Sequence, residues 1–423
     1  MKKKACYLLT VLCISFILIG CSSSILEQTP QALPSATLIY MVADNNLDFY
    51  SMLNIRQLER GLPDNAEGPI FVFLTRRRAA NPSHPVLKKI VQNHDEEDAV
   101  VRSPIIQTYR QQNTVNPDFM RRVIADVQGH AQRHNSELRR LILWSHGTGW
   151  LPEGAPFNDI DDDDWIGSID TTDSRRGSSG FTSFAFGPDE TGYGDGTEHP
   201  RKMTVKEIAR ALQGERFEVI MMDACFMSTV EVAYELRNVT RYFIMSPTEI
   251  VVNGFPYEDI AGLLAAEVLE PFAIAQAFFD LYDGLTGALR TGAISVINTR
   301  YLEELANAMR GFFGDFAAVR DEIPMGDFLQ YDRTGSYYFF GFKDFIGRVA
   351  EQTGSDYSYI LEIFGRVVPF YLHTPQVFNL IDLEGTSGLS IYIPNAHAAR
   401  GSLHEFYRGL SWARDSNAAI LFD

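Results

Sequence analysis

Two short apolar runs in this chain end in residues that could do nucleophilic chemistry together. Phe217-Glu218-Val219-Ile220-Met221-Met222-Asp223-Ala224-Cys225 has no helical period and closes on a thiol, and Leu141-Ile142-Leu143-Trp144 leads through Ser145 into His146. Runs of this kind read as buried parallel strands. Open α/β sheets bind their ligands at the carboxyl edge of such strands, so a His and a Cys at two strand ends can be neighbours, as thiol nucleophile chemistry requires. On the residues alone two readings stay open. One is a reactive pair; the other is an inert buried thiol beside a hydrogen-bonded histidine. Ser145 is small enough to tolerate a crowded strand end.

The same residues carry a resemblance. His146-Gly147-Thr148-Gly149-Trp150 and Asp223-Ala224-Cys225-Phe226-Met227, followed by Val230-Glu231-Val232-Ala233-Tyr234-Glu235-Leu236, resemble the His and Cys motifs of the clostripain family of cysteine peptidases. Ile39-Tyr40-Met41-Val42-Ala43-Asp44-Asn45-Asn46-Leu47, Ser246-Pro247-Thr248-Glu249, Gly254-Phe255-Pro256-Tyr257 and Gly388-Leu389-Ser390-Ile391-Tyr392-Ile393-Pro394 agree in the family's order, so the resemblance spans most of the chain. It implies a caspase-like fold and an endopeptidase in which Cys225 attacks as thiolate and His146 supplies the base or the leaving-group proton. The backbone N–H groups of Gly147 and Cys225 would hold the oxyanion. It further implies a basic residue before the scissile bond, held by acids. Asp223 matches one family acid by position, whereas Asn253 stands where a second acid is expected, which predicts weaker discrimination. The other reading of Asp223 is a cap on the turn.

Around these motifs the pattern alternates strand and helix. Leu38–Val42, a helix over Leu47–Arg60 carrying Leu53 and Leu58, and Ile70–Leu74 form a βαβ unit, with a hairpin strand over Val86–Val91. Asn116-Pro117-Asp118 opens a helix whose apolar stripe is Phe119, Met120, Val123, Ile124 and Val127. Thr204 to Glu207 is a capping box ahead of the Cys strand. A helix over Val230–Arg237, strands over Tyr242–Met245 and Ala293–Ile297, and the helix Pro271–Leu285 follow. A late strand is expected over Leu389–Ile393. The expected fold class is α/β, a mainly parallel sheet flanked by helices, with a C-terminal subdomain. No Gly-rich phosphate loop follows any strand, which argues against a dinucleotide fold.

The expected organisation is a leader over 1–20, a tether over 21–35, a peptidase domain over 36–300 and a C-terminal part over 301–423 packed on it. Within the peptidase domain, 151–200 lacks periodicity and lies between the two motifs, so it is expected to border the cleft. In it Arg175-Arg176 offers a processing site, since family members are often cut there and can need calcium. Asp161 and Asp163 offer hard oxygen ligands, but the spacing is not that of an EF-hand, and a solvated acidic loop is the simpler reading. No cofactor is otherwise required.

Lys2-Lys3-Lys4 and the apolar stretch Ala5 to Gly20 form a cleavable leader, and Leu18-Ile19-Gly20-Cys21 resembles the lipobox of bacterial lipoproteins, where the Cys is acylated. The alternative is an ordinary signal peptide with an incidental Cys21. Cys6 and Cys13 leave with the leader and Cys21 would be blocked by lipid, so Cys225 is left as the one free thiol of the four cysteines. Loss of Lys2, Lys3 and Lys4 takes the formal charge from −17 to −20, which argues against nucleic acid and against electrostatic adhesion to anionic lipid. The expected location is the bacterial cell envelope, at the outer membrane or cell surface, through the acyl anchor alone. Two function classes are in view: a lipid-anchored endopeptidase, or a catalytically silent lipoprotein of peptidase shape that binds peptide or glycan. Intact motifs at both His146 and Cys225 favour the first.

Overall fold

The computed structural model describes residues 33–422 apart from 78–79, 81–83, 96–99, 111–112, 154, 156–185, 190–200, 333–334, 336 and 395–400. The leader, Cys21, most of the tether, Asp161, Asp163, Arg175 and Arg176 lie outside the described residues. Contacts divide the chain into 1–33 and the folded unit Pro34–Asp423.

In chain order the unit runs β1 (Ser35–Ala43), α1 (Asp48–Gly61), β2 (Ile70–Arg76), β3 (Val86–Lys89), β4 (Ile105–Thr108), α2 (Pro117–Arg133) and β5 (Glu137–Trp144). Next come β6 (Phe186–Asp189), β7 (Arg201–Met203), α3 (Val205–Ala211), β8 (Phe217–Asp223), α4 (Val230–Glu235) and β9 (Thr240–Met245). The remainder holds α5 (Tyr257–Ala265), α6 (Pro271–Asp283), β10 (Ala293–Asn298), α7 (Leu302–Val319), β11 (Phe340–Gly341), α8 (Phe342–Thr353), α9 (Ser358–Val367) and β12 (Phe370–His373).

A nine-stranded sheet in the order β12-β10-β9-β8-β5-β1-β2-β3-β4 forms the centre. Its inner strands, β9 to β2 in that order, are parallel, and two antiparallel strands close each edge. The inner strands are apolar on both faces because helices cover both, the usual cost of parallel pairing; all nine residues of β1 are buried. The chain lays β2 on one side of β1 and returns to lay β5 on the other, so strand order reverses between β1 and β5. That reversal is the switch point at which such sheets open a crevice. Register aligns the ends there: Met41 pairs with Trp144 and Trp144 with Asp223, so the turns after β1, β5 and β8 emerge side by side.

Local signals in the sequence account for several element starts. Asn116 caps α2, its Oδ1 accepting from Asp118 and Phe119 N–H at 2.9 and 3.2 Å. Thr204 and Glu207 close both halves of a capping box on α3. Helix α1 differs from the apolar stripe expected of it: its buried positions are Ser51, Asn54, Ile55, Leu58 and Glu59. The polar ones are bonded, Glu59 accepting from Arg102 and Ser103 N–H and Asn54 from the Trp144 indole.

Other expectations change in detail. β10 runs antiparallel to β9, and β12 from the C-terminal part joins the same sheet, so the core is continuous from one to the other. The strand expected over Leu389–Ile393 shortens to a bridge at Ser390–Ile391 with β11. Beyond it the Tyr392 N–H donates to the Glu231 carboxylate instead of to a strand. Strands β4, β6, β7 and β12 were not legible, being short and mixed in composition.

Candidate functional site

The Cys turn follows β8 directly. Phe226 holds φ of 60°, which a bulky side chain adopts only when its surroundings impose it. Here its N–H donates to Thr248 O at 2.9 Å and its ring stacks on Phe339 at 4.6 Å, inclined by 8°. The turn so fixed leaves Cys225 9% exposed, its Sγ accepting from Ile250 N–H at 3.3 Å.

From the neighbouring strand, His146 reaches the same place. Its Nε2 lies 2.6 Å from Asn46 Oδ1, contributed by the turn after β1. Burial pushes the imidazole pKa down to about 3, so the ring is neutral around pH 7. Gly147 brings the two turns together: a Cβ there would lie 2.9 Å from both the Ala224 Cβ and the Cys225 carbonyl oxygen. Any larger residue would push the His turn off the Cys turn.

Ser145 does more than fit a crowded strand end. Its N–H donates to Asp223 O at 3.2 Å, and its hydroxyl lies 2.8 Å from Val42 O and 3.1 Å from Gly187 O. Asn45, fully buried, donates to Val42 O and Pro188 O at 3.1 and 3.0 Å. Segment β6, which lies in the stretch between the two motifs, thus braces the ends of β1 and β5, and Gly187 bridges to His146.

A cleft with about 330 Å³ of empty space, part of it open to solvent, is lined by Ser145, His146, Asp223, Cys225 and an apolar wall of Leu47, Trp144 and residues 250–252. Asp223 is the one acid among the lining residues. Its Oδ2 accepts from Tyr257 OH at 2.9 Å and Phe255 N–H at 3.3 Å, and Gly254, at φ of 67°, leaves room for it: a Cβ there would come 2.4 Å from Oδ2. Burial raises the Asp223 pKa to about 7, against the lowering effect of the two donors. A carboxyl so held is available as a charge partner above that pH and also closes the 254–257 turn.

Sequence reading named His146, Cys225, Gly147 and Asp223, and the structure brings them to one cleft edge, although Gly147 packs beside the lining. Asn253 precedes Gly254 and is not part of the lining; its carbonyl accepts from Asn54 at 3.1 Å, which in turn holds Trp144. Missed were Asn46, whose amide meets His146, and Tyr257 and Tyr282, which fasten Asp223 and the Gly254 carbonyl. The signal for Asn46 and Tyr257 lay in the motifs at Asp44–Leu47 and Gly254–Tyr257, but no spacing rule says what a turn residue touches. Among the described residues no group of three or more His, Cys, Asp or Glu side chains is placed to hold a metal. No described helix is long and apolar enough to cross a membrane.

A family model described as Peptidase C11, clostripain family, matches residues 39–164 and 191–387. No curated protein matches the chain. Among solved structures, an inactive zymogen C11 protease from Parabacteroides distasonis is 26% identical with a TM-score of 0.70, covering 92% of this chain and 99% of its own. A secreted C11 cysteine protease from Bacteroides thetaiotaomicron, solved with an irreversible peptide inhibitor, is 24% identical with a TM-score of 0.68, covering 91% and 99%. A second structure of a secreted protease of that kind and organism, iotapain, is 19% identical with a TM-score of 0.65, covering 92% and 100%.

Proposed function

The chain belongs to the clostripain family of cysteine peptidases, and from that premise we propose that it is an endopeptidase working through a Cys225–His146 dyad. One observation carries this reading: His146 and Cys225 meet in a single cleft at the switch point of the sheet, with Gly147 small enough to let their turns touch. The neutral imidazole takes the thiol proton as sulfur attacks the scissile carbonyl, and the backbone N–H groups of Gly147 and Cys225 receive the developing oxyanion. Collapse breaks the C–N bond, the proton passes from His146 to the leaving amine, and water then cleaves the thioester with His146 again as base. Peptide is also the ligand class bound to the inhibited Bacteroides thetaiotaomicron protease.

For the residue before the scissile bond the reading is Arg or Lys. Support comes from Asp223, the one acid among the residues that line the cleft. A charge-assisted hydrogen bond there contributes on the order of 1.5–3 kcal/mol. Asn253, the residue before Gly254, stands outside the lining and supplies no second carboxylate.

The remaining parts rest on sequence alone. Cys21 would carry the lipid, Arg175-Arg176 would be cut on activation, and Asp161 and Asp163 would take calcium if any residues do. Mass spectrometry of the mature N-terminus, and gels with and without a chelator, decide these; a free amine at a residue other than Cys21, or a full-length active chain indifferent to chelation, removes them. For the core of the proposal the test is a fluorogenic peptide library on wild type, Cys225→Ala and His146→Ala. Turnover near wild type by either variant defeats the dyad, and equal cleavage after Leu or Ala defeats the basic preference.

A further inference from the structure

A neutral imidazole has two tautomers, and only one leaves the base nitrogen with a lone pair for the thiol. Nothing in the reaction scheme above selects it. The turn after β1 does, through two adjacent asparagines with different tasks. Asn45 is fully buried and holds the turn itself: its Oδ1 accepts from Leu47 N–H at 2.9 Å and its Nδ2 reaches Val42 O and Pro188 O. Asn46 is partly exposed, and its Oδ1 meets His146 Nε2 at 2.6 Å across the β1–β5 boundary. An oxygen at that distance accepts from Nε2–H, and the tautomer with hydrogen on Nε2 carries its lone pair on Nδ1.

Resting on the dyad reading, we propose that Asn46 is a positioning residue: its side-chain oxygen fixes the tautomer and orientation of His146 in which Nδ1 takes the Cys225 proton. The same acceptor then steadies the imidazolium formed when sulfur attacks. Because an amide adds no net charge, it orients the ring without holding a proton on it before substrate arrives. That fits the low imidazole pKa, whose cause is burial alone. Were the partner a carboxylate, the ring would be drawn toward the charged form and the base would be spent below neutral pH.

The test uses the full chain and a fluorogenic peptide, with Asn46→Ala, Asn46→Asp and His146→Ala run against wild type. The Ala variant should lose kcat by on the order of 10- to 100-fold, a share of what general base catalysis supplies, with KM within about threefold. The Asp variant keeps an accepting oxygen. It should hold kcat within about tenfold of wild type while the acid limb of kcat/KM moves up by about one pH unit or more, since a carboxylate beside the ring raises its pKa. Wild-type kcat in the Ala variant overturns the proposal. So does an Asp variant as slow as Ala with an unmoved acid limb, because an amide that donated to the ring, or one that merely shaped the turn, would behave that way. If the Ala variant does not fold, the limb of the near-isosteric Asp variant decides. An active His146→Ala would instead bring down the dyad reading, and a dead His146→Ala beside a fully active Asn46→Ala would bring down only this inference.

Discussion

Two buried carboxyl groups, eight positions apart in the chain, have nearly the same electrostatics and different neighbourhoods. Asp223 and Glu231 are both pushed up to about 7 by burial, each against hydrogen bonds that pull the other way. Asp223 lines the cleft between the His and Cys turns. Glu231, on α4, faces the C-terminal seam, where its Oε1 accepts from Tyr392 N–H at 2.8 Å and Tyr407 OH at 3.2 Å. Around that seam Trp150 packs on Tyr392 and Tyr407, at centroid distances of 4.9 and 5.0 Å. A perturbed carboxyl is therefore no mark of a working site by itself. What distinguishes the two is access: one opens on empty space beside a thiol, the other ties an N–H and a phenol together in a filled core.

The comparison predicts that cleft changes alter rate and seam changes alter stability. The largest effect should come from Cys225→Ala and His146→Ala, each lowering kcat/KM by on the order of a thousandfold or more with the melting temperature within about 2 °C of wild type. Turnover close to wild type would break the contrast at its strongest point. Next, Asp223→Asn should cost on the order of 10- to 100-fold in kcat/KM for peptides with Arg or Lys before the scissile bond and little for Leu. Cleavage after Arg should also improve in wild type as pH rises through about 7, where Asp223 ionises. A flat ratio of Arg to Leu cleavage across that range would show that the carboxyl does not meet the substrate.

Glu231→Gln tests the other half. A carboxyl whose pKa is raised on folding contributes stability that is present below its unfolded value and is lost as pH rises through about 7. Glutamine keeps the accepting oxygen and does not ionise. The variant should therefore gain on wild type between pH 5 and pH 8, by on the order of 1–3 kcal/mol in urea titrations, while kcat/KM stays within twofold. A large loss of activity with unchanged stability would move Glu231 from the seam to the mechanism. His146 has the opposite sign: its lowered pKa supports the fold above about 6.5 and withdraws that support as pH falls toward 3, so His146→Gln should flatten the acid side of the stability curve. The smallest effect is expected from Asn253→Asp. Its acid would sit beside the cleft wall, where solvent screens it, and should sharpen the preference for Arg over Leu only a few-fold.

Much of the scaffold could be read from local pattern, because its determinants are local. The run Leu141 to Trp144 is apolar because helices cover both faces of the sheet, and Asn116 and Thr204 start helices by bonding to N–H groups two or three residues away. Pairs such as His146 and Cys225 were legible through a family pattern rather than a spacing rule, since 79 residues separate them. Short elements escaped. β6 has four residues, Phe-Gly-Pro-Asp, and no propensity suggests a strand; pairing with β7 and its contacts to Ser145 and Asn45 make it one.

What could be read without the fold was the alternation of the inner strands with their helices and the thiol and imidazole at two strand ends, because hydrophobic period and caps act within a few positions of where they are written; the short strands β4, β6, β7 and β12 and the close approach at Gly147 could not. Tertiary structure alone decided which turn residue the imidazole bonds, which phenol fastens Asp223, and which of two equally shifted carboxyls opens on the cleft. Those choices follow from the register of β1, β5 and β8 and from burial across the sheet, and both join residues far apart in the chain, 34 positions for Asp223 and Tyr257 and 100 for Asn46 and His146.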